Sequence, residues 1–269
     1  MRKALLFVIV VSITVAGLAG LVSKTLAVTY PGYTNTPMLP SGKWHVHDPN
    51  RPKAAIVTAG TLFSHGAPAP SDAIVLFNGT DLSSWEGDKG PPQWTLREDY
   101  MEVKPHTGYI HTKEKFGDFQ LHVEFAEPTD LNDPGNSGVF LQGIYELQIL
   151  DSDDNPVYSD GACGSIYGQS PPLVNACKKP GQWQTFDIIF EAARWNGNHE
   201  FVRPAIVTVF QNGVLIHYKQ PILGPTGHRK LGNYKKELPA TAPLALQDHG
   251  DPVRFRNIWI RRIQEEEKP

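Results

Sequence analysis

GNSGVFLQGIYELQILD, residues 135–151, is the stretch on which the fold turns. Side chains alternate across a strand, so Tyr145, Leu147 and Ile149 share one face while Glu146 and Gln148 share the other. A carboxylate and an amide on the polar face of a strand otherwise built for burial mark a candidate site. Near the C-terminus, PLALQDHGDPVRFRNIWIRR repeats the arrangement, with Leu244 and Leu246 on one face and Gln247 and His249 on the other. Two strands then offer an acid, two amides and an imidazole.

Outward from these two segments the chain reads as strands throughout. AIVLF (73–77), QWTLRE (93–98), YMEVK (100–104), FQLHVEF (119–125), VFLQ (139–142), FDIIFE (186–191), AIVTVFQ (205–211) and VLIHY (214–218) carry β-branched and aromatic residues between turn residues. Asn212-Gly213 predicts a tight hairpin, because a type I′ turn needs positive φ at both central positions. No long amphipathic helical period intervenes, so about two hundred residues fit one all-β antiparallel sandwich. Alternation in FQLHVEF sets Leu121, Val123 and Phe125 inward and His122 and Glu124 outward.

The ends of the chain bear on compartment. Arg2 and Lys3, an apolar run from Ala4 to Leu21 and the small-residue close Thr25-Leu26-Ala27 read as an export signal over residues 1–27, and so predict a secreted or periplasmic protein. The run is also long enough to serve, if uncleaved, as a membrane anchor. The formal net charge is -3, and loss of Arg2, Lys3 and Lys24 with the leader brings it near -6. That balance argues against nucleic acid and anionic membrane surfaces as partners. Cys163 and Cys177 are the only cysteines, and in an exported protein they predict a disulfide that staples a loop, with two free thiols as the competing reading.

Residues 28–71 hold no sustained apolar period of two or 3.6 residues and read as an ordered but irregular arm or a linker. Within the arm, Trp44-His45-Val46-His47-Asp48 is either a surface loop anchored by Trp44, a metal half-site or a flap over the main cleft. Residues 265–269 form a charged tail after the 72–264 domain.

FNGTDLSSW (77–85), FGDFQLHVEF (116–125), residues 135–152, GSIYG (164–168), W-x-x-FDIIF (183–190) and LQDHGDPVRFRNIWIR (246–261) together resemble, in order, the 3-keto-disaccharide hydrolase family. The resemblance spans Asp72 to Ile263. It implies a concanavalin A/laminarinase-like jelly roll with a sugar on its concave face. It also implies cleavage of glycosides whose sugar carries a ketone at C3, and hence a sugar or glycoside partner.

A C3 ketone acidifies the C2 proton, so a base can remove it while the C1 aglycone leaves and donors stabilise the enolate oxygen. An ordinary glycosidase instead needs two carboxylates about 5 to 9 Å apart. The closely spaced E-x-D-x-E cluster of jelly-roll glucanases is missing, since Gln148 follows Glu146 where a second acid is expected. The sequence therefore favours Glu146 and His249 as proton-transfer residues, with Glu124 as a further acid. Gln148 and Gln247 suit sugar hydroxyls, because an amide both donates and accepts. Asn136 stands where a strand begins and could line the cleft. Arg254 and Arg256 share a strand face, and would either bind sugar oxygens or pair with Asp151, Asp153 or Asp154.

Tyr167, flanked by Gly164 and Gly168, is placed to stack on a pyranose ring, whereas Trp85, Trp183 and Trp259 read as core residues. The sequence names no certain cofactor and leaves a divalent metal open, either polarising the ketone or held by the Asp151, Asp153 and Asp154 cluster. Beside the enzyme reading stand a noncatalytic carbohydrate-binding module and a conventional glycoside hydrolase. Convergence of an acid and an imidazole on one pocket would favour the enzyme.

Overall fold

The computed structural model describes residues 31–61, 63–130, 134–152 and 156–263; the leader, Asp153, Asp154 and the 265–269 tail lie outside them. Two antiparallel sheets form a jelly-roll sandwich, and among the described residues the only helical element is the 3-10 turn Ser159–Gly161. One sheet has five strands in the order Trp85–Gly87, Ile110–Thr112, Ala245–Leu246, Ser137–Leu141, Tyr145–Ile149. The other has eight. Its path runs Val214–Pro221, Ile206–Gln211, Gln184–Glu191, Phe119–Ala126, Arg254–Arg262, Met101–Glu102, Thr95–Leu96, and Ile74–Phe77 also pairs with Arg254–Arg262.

Alternation supplies the core. Tyr145, Leu147 and Ile149 from the small sheet meet Leu121, Val123, Phe125, Phe186, Phe190 and Phe255 from the large one, all of them buried. Offset ring pairs at 4.9 Å (Phe119 and Phe190) and 4.6 Å (Phe125 and Phe186) join neighbouring strands of the large sheet. Asn212 and Gly213 have φ of 51° and 79°, as the hairpin requires.

The Tyr145–Ile149 strand is the edge of its sheet, yet its outer side is not bare. Gly164 N and Tyr167 N donate to the carbonyls of Gln148 and Glu146, Gln148 N donates to Ser165 O, and Thr226 Oγ1 accepts from Glu146 N. Loops 162–168 and 224–229 thereby cover the edge, which would otherwise invite pairing with another chain.

The two cysteines are corrected by the structure. Cys163 and Cys177 are free thiols, not a disulfide. Both accept hydrogen bonds from Gln211 Nε2, at 3.4 and 3.3 Å, so an amide serves the loop contact assigned to a covalent staple. Burial, followed by the neighbouring Cys177, pushes the Cys163 thiol well up, which leaves it a poor nucleophile.

Over its described residues, 31–61 and 63–71, the arm divides between the two layers. Residues 33–52 pack beside loops 158–169 and 226–229, and residues 63–67 lie over the outer face of the large sheet. Trp44 is only half-buried. The arm is anchored instead by Val46, His47 and Asp48, which are buried.

Candidate active site

The polar face of the Tyr145–Ile149 strand turns away from the core into a pocket of about 320 Å³, near the lower end of small-molecule sites. Its walls include Glu146, Gln148, Asn136, Tyr167, Gln247 and His249, six of the residues singled out from the sequence. Tyr109, Phe140, Thr226, Gly227 and His228 complete it.

Glu146 is 6% exposed and lies opposite Phe140 in the strand ladder. Burial, with no compensating cation, pushes its carboxyl up to about 8, so that it is chiefly a neutral acid near pH 7. Room for it comes from Gly138. A Cβ at that position would stand 2.9 Å from Glu146 Oε1 and 3.0 Å from its Cγ. Glycine weakens a strand interior, and here the missing side chain is the space the carboxyl occupies.

Two amides flank this acid with unspent capacity. Gln148 Oε1 and Gln247 Oε1 are buried without a hydrogen-bond partner, whereas Gln247 Nε2 donates to Tyr109 Oη at 2.6 Å. Buried polar atoms left unpaired are costly, and a ligand rich in hydroxyl groups would satisfy both. Burial also raises the Tyr109 phenol, keeping it a neutral donor.

His249 stands at the exposed rim, in the bend before Gly250. The strand expected to carry it ends at Leu246, so His249 reaches the pocket from a turn. Asn136 also lines the pocket, its N–H donating to the Asp251 carboxylate. Tyr167 Oη lies 3.0 Å from His228 Nδ1 and 2.9 Å from Tyr158 Oη, so its hydroxyl, as well as its ring, belongs to the wall.

Glu124, Arg254 and Arg256 do not join this site. Val253 and Phe255 enter the core, so Arg254 and Arg256 project from the outer face of the large sheet, on the far side of the sandwich from Glu146. Arg256 Nε donates to Glu124 Oε2 at 2.8 Å, and Arg256 also contacts Asp99 and His65. Arg254 Nη2 donates to Gly181 O, and its guanidinium lies over the Tyr100 and Trp183 rings. Of the aspartates expected to pair with these arginines, Asp153 and Asp154 lie outside the described residues.

Glu124 is wholly buried under the arm, which replaces the solvent expected on that face. Burial alone would raise its carboxyl. Hydrogen bonds from His122, Asn257, Arg256 and Gly66 N prevail and hold it down to about 2.

Trp85 is core, as read. Trp183 is half-buried against the arginines on the outer face, and Trp259 stacks on His122 at 5.2 Å; neither lines the pocket.

Among the described residues no three His, Cys, Asp or Glu side chains are grouped to hold a metal. Asp151 donates its N–H to Pro134 O, and its expected companions Asp153 and Asp154 lie outside the described residues. Glu146, His228 and His249 are the pocket's only side chains of that kind.

Tyr109, Phe140, Thr226 and His228 were not singled out by sequence reasoning. Tyr109 sits just before the short Ile110–Thr112 strand, a signal that alternation offered. Thr226 and His228 lie in an irregular stretch with no period, and only the closure of loop 224–229 over Glu146 brings them in.

Residues 72–261 match the family described as the 3-keto-alpha-glucoside-1,2-lyase-like domain. A curated 3-keto-disaccharide hydrolase of Bacteroides thetaiotaomicron is 25% identical over 248 residues, covering 76% of this chain and 83% of that protein. A solved protein of Parabacteroides distasonis ATCC 8503, provisionally described as a glycosyl hydrolase, is 45% identical, with a TM-score of 0.69 over 79% of this chain and 93% of that one. A second from the same organism, described in the same way, is 18% identical, with a TM-score of 0.56 over 77% and 100%.

Proposed function

The chain belongs to the family of 3-keto-alpha-glucoside-1,2-lyase-like domains, and from that premise we propose that it cleaves 3-keto-glycosides by elimination across C1 and C2. The observation that carries the proposal is a neutral, buried Glu146 sharing one pocket with an imidazole and two amides whose oxygens lack partners.

In this reading His249, the imidazole at the rim of the pocket, takes the C2 proton as general base. The electron pair of the C2–H bond forms the C1–C2 double bond as the C1–O bond breaks. Glu146 gives its proton to the departing aglycone oxygen. Negative charge that builds on the C3 oxygen meets neutral donors, with the Tyr109 hydroxyl and the Gln148 amide the nearest in chemistry. Addition of water to the unsaturated sugar completes a net hydrolysis. Two acids of opposite role are not needed, which fits a site containing one carboxyl.

The decisive experiment offers matched glucosides with and without the C3 ketone. Only the ketone is expected to turn over, and deuterium at C2 is expected to wash out into solvent. Equal turnover of both, with the C2 label retained, would return the site to conventional hydrolysis. Tight binding of either sugar without any turnover would support the carbohydrate-binding module instead.

The leader places this reaction, in the same proposal, in the periplasm or outside the cell, with the mature chain starting near Val28. N-terminal sequencing of protein from an exporting host checks this. Intact Met1 in the membrane fraction would identify residues 4–21 as an anchor.

A further inference from the structure

His47 comes from the arm, which precedes the matched family residues, yet its side chain is wholly buried directly behind the pocket wall. Its ring centroid is 4.7 Å from that of Tyr167, 4.2 Å from that of Tyr158 and 5.4 Å from that of His228, the last at an interplanar angle of 28°. Tyr167 and His228 both line the pocket.

Asp160 holds this imidazole from behind. Its two carboxylate oxygens lie 3.2 Å from His47 Nδ1 and 3.0 Å from His47 N, and Arg51 stands 3.7 Å from the second oxygen. Asp160 is itself fully buried. A solvated surface loop would not turn a histidine to φ 59° and bury it against a buried carboxylate. Its Nε2 is buried with no partner, a cost that a purely structural filler would avoid.

The arm grips the same wall from its open side. Tyr33 packs edge-on to His228 at 5.7 Å with its hydroxyl 3.5 Å from His228 Nε2, Asn35 accepts from Arg229, and the Arg229 guanidinium lies over the Tyr33 ring at 4.2 Å. His228 is therefore held on one nitrogen by Tyr167 and on the other by the arm.

We propose that His47, oriented by Asp160, is a positioning residue of the active site that fixes the Tyr167 hydroxyl and the His228 imidazole toward the sugar. The proposal rests on the function assigned above. A segment outside the matched family residues thereby backs the wall that Tyr167 and His228 form. The Asp160 carboxylate fixes which His47 nitrogen carries the proton, and the ring holds the tilted tyrosine and the stacked histidine packed against it.

The test uses the full mature chain and three variants. Asp160→Asn keeps the shape and removes the charge. His47→Asn keeps a donor to Asp160 in a residue that tolerates positive φ, and removes the ring. Thr36→Val loosens the same arm segment, where Thr36 Oγ1 donates to Val46 O, without touching the stack. With a 3-keto-glucoside, Asp160→Asn and His47→Asn are expected to lower kcat at least tenfold with KM changed less than threefold, and Thr36→Val to leave kcat within twofold.

Action through Tyr167 adds a second requirement. Asp160→Asn combined with Tyr167→Phe should lose less than the product of the two single losses, because part of the Asp160 effect runs through Tyr167. Independently of turnover, the 15N signals of the His228 ring should move in Asp160→Asn. Additive losses in the double variant, or an equal loss in Thr36→Val, would overturn the positioning role. If His47→Asn does not fold, Asp160→Asn and the double variant decide. If no 3-keto-glycoside is turned over by the parent protein, the functional assignment falls and the His228 signals alone judge the positioning: unmoved signals refute it, displaced signals sustain it.

Discussion

Replacing Glu146 by Gln is expected to lower kcat by about 10² to 10⁴ and, at the same time, to make the folded chain more stable at alkaline pH. The first effect is loss of the proton donor to the leaving oxygen. Gln preserves volume beside Gly138, so packing against that glycine survives. The second effect has the opposite sign for a definite reason. Glu146 has a folded pKa raised to about 8, above its unfolded value, so the fold prefers the neutral carboxyl. Such a group contributes fully to stability below the unfolded carboxylate pKa, and the contribution is lost as pH rises through about 8. Gln never ionises. Wild type and variant should therefore diverge between roughly pH 4.5 and 8, by about 5 kcal/mol at the top of that window. Urea unfolding at pH 5, 7 and 9 beside steady-state kinetics measures both. A fully active variant, or parallel stability curves, would remove Glu146 from the chemistry.

Arg256→Met is expected to do the reverse, costing about 3 kcal/mol of stability while leaving kcat within twofold. Arg256 is the cation against a wholly buried Glu124, and removing it strands that carboxylate between His122, Asn257 and Gly66 N. Glu124→Gln added to Arg256→Met should recover most of the loss, since the stranded charge is then gone. The pH dependence also inverts relative to Glu146. Glu124 is held down to about 2, so its contribution is present above the ordinary carboxylate range and is lost as pH falls through about 2. Denaturant titrations with kinetics on the folded enzyme check the pair. A stable Arg256→Met with kcat reduced as far as in Glu146→Gln would mean that the outer-sheet cluster takes part in the reaction.

These opposite expectations come from one geometric fact. Glu124 and Glu146 look alike in the sequence, each an outward acid on an alternating strand, yet they lie on opposite faces of the sandwich. Alternation tells a residue in the core from one facing out. A sandwich, however, has two outward faces, and local sequence does not say which one a strand presents.

Outward also did not mean solvated. His122 is buried, and although that burial opposes its charge, the hydrogen bond with Asp187 followed by that with Glu124 raises its pKa. Ser64 Oγ donates to the same Asp187, so this polar layer is the seat of the arm. The bulge between Arg256 and Trp259, with Asn257 at φ 44°, turns the Asn257 amide toward Ala67 O and Glu124.

The sequence by itself determined the all-β layering, the Asn212-Gly213 hairpin and the paired faces of 145–149, because these depend on period and on local φ preference. It also marked Glu146, Gln148, Gln247, Asn136, Tyr167 and His249, which share one pocket. Only the tertiary structure decided that Glu124, Arg254 and Arg256 belong to the opposite face, that Cys163 and Cys177 remain thiols around Gln211, and that His228 lines the pocket with His47 behind it. The physical reason is sequence distance. His47 meets Asp160 across 113 residues and Glu146 meets Thr226 across 80, and no local period encodes contacts that closure of the sandwich and docking of the arm create.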